Sequence, residues 1–81
     1  MAIESKLRSF ILENYLFTDD QTALDNSDSF LDKGIIDSTG ILELIFFLEE
    51  ELGIKVEDEE MVPENLDSVN NIVKYVNTKL N

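Results

Sequence analysis

The sequence has 81 residues, 43% of them hydrophobic, which suffices for one compact core and leaves no room for a second, so a single domain over residues 1–81 is expected. It contains neither cysteine nor histidine, so disulfides, the usual zinc and iron–sulfur ligand sets, a thiol nucleophile and the commonest general base are missing, and any thiol chemistry must be imported. Eighteen acidic residues against six basic give a formal net charge of −12 and a pI near 4.1, which repels nucleic acid and anionic membranes and favours partners with basic surfaces.

Residues 1–8 show no basic segment followed by an apolar run, and no stretch approaches the roughly 18 apolar residues of a membrane span, so a cytoplasmic location is expected. Ile3, Leu7, Phe10, Ile11 and Leu16 recur at helical spacing, with Glu4, Lys6, Arg8 and Glu13 between them. This pattern predicts a first helix from residue 2 to about residue 17. Residues 18–37 are rich in Asp, Asn, Ser and Thr without sustained periodicity, but include Leu24, Phe30, Leu31, Ile35 and Ile36, which reads as a long loop pinned to the core. Loops of this length in small domains are often functional.

The second helix should begin at Asp37 or Ser38, either of which can cap free backbone N–H groups, and end at Leu52 with Gly53 as its left-handed terminator. Ile54, Lys55 and Val56 form an extended connector, and residues 58–61 and 63–66 read as short helical turns. Ser68 can cap a last helix whose core stripe is Val69, Ile72, Val73, Val76 and Leu80. No strand-like alternation competes, so the expected fold is all-α: a small bundle of three longer helices plus one short helix, with a long loop after the first.

The dipeptide Asp-Ser occurs at residues 28–29, 37–38 and 67–68, so it carries no functional information by itself. Asp67-Ser68 precedes an apolar helical stripe and is explained as a cap, and Asp28-Ser29 lies in a polar loop before Phe30. Asp37-Ser38 could also be a cap, but the helix that follows has two distinct faces. With Leu48 at the centre of the buried face and steps of about 100° per residue, Ile41, Leu44, Ile45 and Leu52 cluster around it. Thr39, Glu43, Phe46 and Glu50 then point the opposite way, with Leu42 and Glu49 on the flank. An aromatic ringed by carboxylates resembles a docking face for a basic groove; the competing reading has Phe46 packed beneath the long loop.

The segment LDKGIIDSTGILELIFFLEEELGIKVEDEEM is similar to the central part of acyl carrier proteins and of the related aminoacyl and D-alanyl carriers. Gly34 to Ser38, the acidic helix and the Gly53-Ile54-Lys55-Val56 stretch match in order, and Phe30-Leu31 and Asp67-Ser68-Val69 extend the likeness over nearly the whole chain. The resemblance implies a carrier, not an enzyme, expected as a monomer. It implies that Ser38 receives 4′-phosphopantetheine from coenzyme A, with Asp37 serving the modifying enzyme as well as the helix cap. The arm would hold an acyl or aminoacyl group as a thioester. The implied partners are a phosphopantetheinyl transferase, an acyl- or aminoacyl-loading enzyme and downstream transferases with basic docking surfaces, met by Thr39, Leu42, Glu43, Phe46, Glu49 and Glu50.

Two departures from the fatty-acid carriers bear on cargo. Many of those have Leu after the serine, where this chain has Thr39-Gly40, a sequence more like carriers that work beside stand-alone adenylating enzymes. They also commonly keep a small residue at the position matching Phe47, whose ring should fill space that a long chain would need, so short cargo is expected.

Two other classes compete for this sequence. A calcium loop counted from Asp25 would put Phe30 where the sharp turn needs glycine and Ile36 where a bidentate Glu is required, so the spacing argues against it. An acidic interaction protein without a prosthetic group, mimicking nucleic acid or inhibiting basic sites, suits the charge but leaves the match at residues 34–38 unexplained.

Overall fold

A computed structural model describes residues 2–80: an all-α bundle, with no strand among the described residues. The first helix, α1 (Ala2–Ile11), buries Leu7 and Ile11 and sets Ile3 and Phe10 at the margin of the core. It continues into one π-helical turn, Leu12–Leu16. Leu12, outside the predicted stripe, is also buried. A π turn bonds i to i+5, so the inward position one turn after Phe10 is Tyr15 rather than Asn14, and Asn14 faces out while Tyr15 and Leu16 pack on the core. Phe17 ends the turn with φ 54° and is 81% exposed, so the predicted end of the helix holds but its last turn has another geometry.

The connector over residues 18–37 has little regular structure beyond a 3₁₀ turn at Gln21–Ala23, yet its backbone is well partnered. The Arg8 guanidinium donates to the carbonyls of Gln21 at 2.7 Å and Leu24 at 2.8 Å and to the side chain of Asn26. The Asn26 carbonyl in turn accepts the Asn70 N–H at 3.0 Å. Further along, Asp67 accepts the Phe30 N–H on its carbonyl at 2.8 Å, the Leu31 N–H on its carboxylate at 3.1 Å, and the Ser29 hydroxyl. Leu24, Phe30 and Ile36 are buried by this arrangement, as expected of core anchors. Leu31 is not: the chain turns back on Phe30, whose carbonyl accepts the Ile35 N–H at 2.9 Å, and Leu31 is left on the outside, 45% exposed.

The second long helix, α2 (Ser38–Leu52), buries Gly40, Leu44, Ile45 and Leu48, and Gly53 closes it at φ 65° with its N–H on the Glu49 carbonyl. After a 3₁₀ turn at Asp58–Glu60 come the short helix α3 (Pro63–Leu66), with proline in its first turn, and α4 (Val69–Leu80). Ser68 caps α4 by accepting the Asn71 N–H at 3.1 Å. Val69, Ile72 and Val76 form the buried stripe with Tyr75, whereas Leu80, predicted to join it, lies at the helix end and is 51% exposed. No helix among the described residues is long and apolar enough to cross a membrane.

Tyr75 tolerates burial because its hydroxyl donates to Glu60 at 2.9 Å. The same carboxylate accepts the Lys79 ammonium at 2.9 Å and the Glu57 N–H at 3.0 Å. These bonds, the Glu57 N–H foremost and then Lys79, hold the Glu60 carboxyl at about 2 instead of 4.5. A carboxyl lowered on folding adds stability above its unfolded value, and that stability is lost as pH falls from about 4.5 toward about 2. Glu60→Gln should therefore lose less stability than the wild type between pH 4.5 and 2 in urea titrations. Parallel losses would show that the cluster does not couple to folding.

Candidate functional site

The start of α2 is built around Asp37. Its backbone is extended and its Oδ1 accepts the Gly40 N–H at 2.7 Å, while its carbonyl takes the Ile41 N–H at 3.0 Å. Asp37 is thus the N-cap, and Ser38 is the first helical residue, exposed to solvent together with Asp37 and Thr39. The three Asp-Ser pairs separate on geometry. Ser29 donates its hydroxyl to Asp67, Ser68 is buried and caps α4, and Ser38 stands open at the positive end of a 15-residue helix.

Gly40 lies under this turn, buried. A Cβ there would sit 2.6 Å from Cγ2 of Ile36, 3.1 Å from Cε1 of Tyr15 and 3.3 Å from Oδ1 of Asp37. The missing side chain lets α1 and the connector close against the first turn of α2. The sequence marks Gly40 only through the pair Thr39-Gly40, not for its packing, and gives no sign of Tyr15; the available signal was a glycine inside a helix, which is costly unless something needs the space.

The residues predicted for docking divide into two groups. Thr39, Leu42, Glu43, Phe46 and Glu50 are all exposed, Leu42 by 60% and Phe46 by 64%, so Phe46 does not pack beneath the loop. Glu49 is half-buried, and its Oε2 accepts the Val56 N–H at 3.0 Å, which commits it to the connector after α2. Phe47 turns toward α1 and stacks on Phe10 with ring centroids 4.2 Å apart and planes at 19°. On another side of α2 a cavity of about 260 Å³ opens beside Ser38, walled mainly by Leu31, Ile41, Ile45, Val62 and Leu66. In the loop, Asp25 spends one carboxylate oxygen on the N–H and hydroxyl of Ser27, and Asp28 accepts the Asp25 N–H. These contacts build a turn.

No family model matches the sequence. The acyl carrier protein of Buchnera aphidicola subsp. Schizaphis graminum is 43% identical over 54 residues, covering 67% of this chain and 66% of that protein. The acyl carrier protein of Clostridium acetobutylicum is 42% identical over 57 residues, covering 70% of this chain and 71% of that protein. The chain belongs to the acyl carrier protein family. Acyl carrier proteins are carriers, not enzymes. The helical architecture agrees with that membership.

The tight fit at Gly40 has a measurable consequence. Alanine favours helix over glycine by about 1 kcal/mol, but overpacking a rigid site costs typically about 1–3 kcal/mol. Gly40→Ala should therefore lower stability in urea denaturation. A stabilised variant would mean that Ile36 and Tyr15 yield without cost.

Proposed function

We propose that this chain acts as one carrier domain, bearing 4′-phosphopantetheine on Ser38 and presenting an acyl or aminoacyl thioester to partner enzymes. The observation that carries the reading is the division of labour at the start of α2: Asp37 caps the helix, so the Ser38 hydroxyl is exposed and available. The residues present fit the group. A phosphodiester on Ser38 meets the positive end of the helix dipole, with the Ser38 and Thr39 N–H groups outside the Asp37 cap. The arm supplies the thiol that a chain without cysteine lacks. Asp37 also sets a carboxylate beside the serine for the modifying enzyme.

Partners with basic surfaces, a phosphopantetheinyl transferase and loading and transfer enzymes among them, would dock on the exposed strip of Thr39, Leu42, Glu43, Phe46 and Glu50. Complementary charge there mainly accelerates encounter. Incubation with coenzyme A and a broad-specificity phosphopantetheinyl transferase should add the mass of one arm to the wild type and none to Ser38→Ala. In the same assay Glu50→Lys should slow addition with an unchanged helical CD spectrum. Absence of any mass gain, or an equal gain in Ser38→Ala, removes the carrier reading.

The surroundings of Ser38 support short cargo. Phe47 and Phe10 close the space between α1 and α2, and the cavity beside Ser38 is limited to about 260 Å³. That space, lined mainly by apolar side chains, suits a short apolar chain better than the whole of a long one. Burial of apolar area stabilises the fold. The melting temperature should thus rise from acetyl- to octanoyl-loaded protein and then level off. A rise that continues through hexadecanoyl would contradict the short-cargo assignment.

A further inference from the structure

Tyr15 belongs to the π-helical turn that follows α1, yet its hydroxyl meets α2. Its hydroxyl lies 3.2 Å from the Gly40 carbonyl and 3.4 Å from Oε1 of Glu43. The π-helical turn aims it there, since an α-helical register would have turned Asn14 inward instead. Its ring is braced edge-on by Phe10, with centroids 5.8 Å apart and planes at 67°, and Phe10 is itself stacked on Phe47 of α2. Burial first, then the charges of Glu43 and Asp37, raise the Tyr15 phenol above its ordinary range, so it remains a donor at neutral pH. One proton serves two acceptors, and the Gly40 carbonyl has a second lone pair to receive it beside its intrahelical bond.

We propose that Tyr15 is a positioning residue for the Ser38 site, holding the first turn of α2 and the carboxylate of Glu43 in one arrangement before a partner docks. The proposal rests on the reading of Ser38 as the arm-bearing serine and Glu43 as a docking carboxylate. A glutamate free to change rotamer loses conformational entropy when it pairs with a basic partner, and one already held loses less. The contribution therefore belongs to encounter and binding.

Tyr15→Phe keeps the ring and its packing and removes only the hydroxyl. With a phosphopantetheinyl transferase and coenzyme A, this variant should show a KM for the carrier raised roughly fivefold, the size of one net hydrogen bond, at unchanged kcat. In a Glu43→Ala background, which removes the side-chain acceptor and leaves only the Gly40 carbonyl, the same substitution should raise KM less. Amide exchange at Gly40 and Ile41 should quicken several-fold, while Ile72 in α4 keeps its rate. An unchanged KM, an increase undiminished with Glu43→Ala, or faster exchange at Ile72 in equal measure would overturn the proposal. Should the wild type gain no arm at all, the carrier reading fails, and the exchange rates at Gly40 and Ile41 then decide by themselves whether Tyr15 holds the turn.

Discussion

The bonds that Asp67 receives from residues 29–31 fix the rest of the molecule. A connector over residues 18–37 with almost no regular structure would leave buried backbone groups unpaired, a cost of the same order as a lost hydrogen bond for each. Asp67 takes the Phe30 N–H on its carbonyl and the Leu31 N–H and the Ser29 hydroxyl on its carboxylate. Arg8 performs the same service for Gln21, Leu24 and Asn26 nearer α1. With both ends tied, Phe30 and Ile36 enter the core, and the chain is delivered to Asp37 at one place.

From that place the geometry of the site follows. Ile36, now buried, lies against the first turn of α2, and Tyr15 reaches the same turn from the π-helical turn after α1. Both approaches require that position 40 carry no side chain. The cap falls to Asp37, whose carboxylate points inward to the Gly40 N–H, and Ser38 is left outside the cap. Asp67 also lines the cavity beside Ser38, so the group that anchors the connector helps to shape the space next to the serine.

What the sequence disclosed and what it hid divide by the range of the interaction. The long helices, the Gly53 terminator, the Ser68 cap and the core face of Leu44, Ile45 and Leu48 depend on neighbours a few residues away, and periodicity and capping rules find them. The exposure of Phe46 and Glu43 was legible for the same reason. The Tyr15–Gly40 contact and the knot at Asp67 join residues 25 or more positions apart, and no local pattern announces them. Glu49 illustrates the limit: a helical wheel sets it on the polar flank, yet the connector folding back offers it the Val56 N–H and draws it partly from the surface. Leu31 errs the other way, an apolar residue turned outward beside the Ser38 cavity.

The acidity of the chain fits the same organisation. Most of its carboxylates lie on the surface with few cations to meet them, and Glu60 is an exception, satisfied by Lys79, Tyr75 and the Glu57 N–H. On the proposed function the exposed carboxylates of Glu43 and Glu50 would meet basic partners, with the apolar Leu42 and Phe46 beside them. On the proposed function Ser38 alone, among the three serines that follow an aspartate, bears the arm. Tandem mass spectrometry of the protein purified from its own host is the sharpest test. Phosphopantetheine is expected on the peptide fragment containing Ser38; an arm on Ser29 or Ser68, or Ser38 unmodified in every molecule, would contradict that assignment.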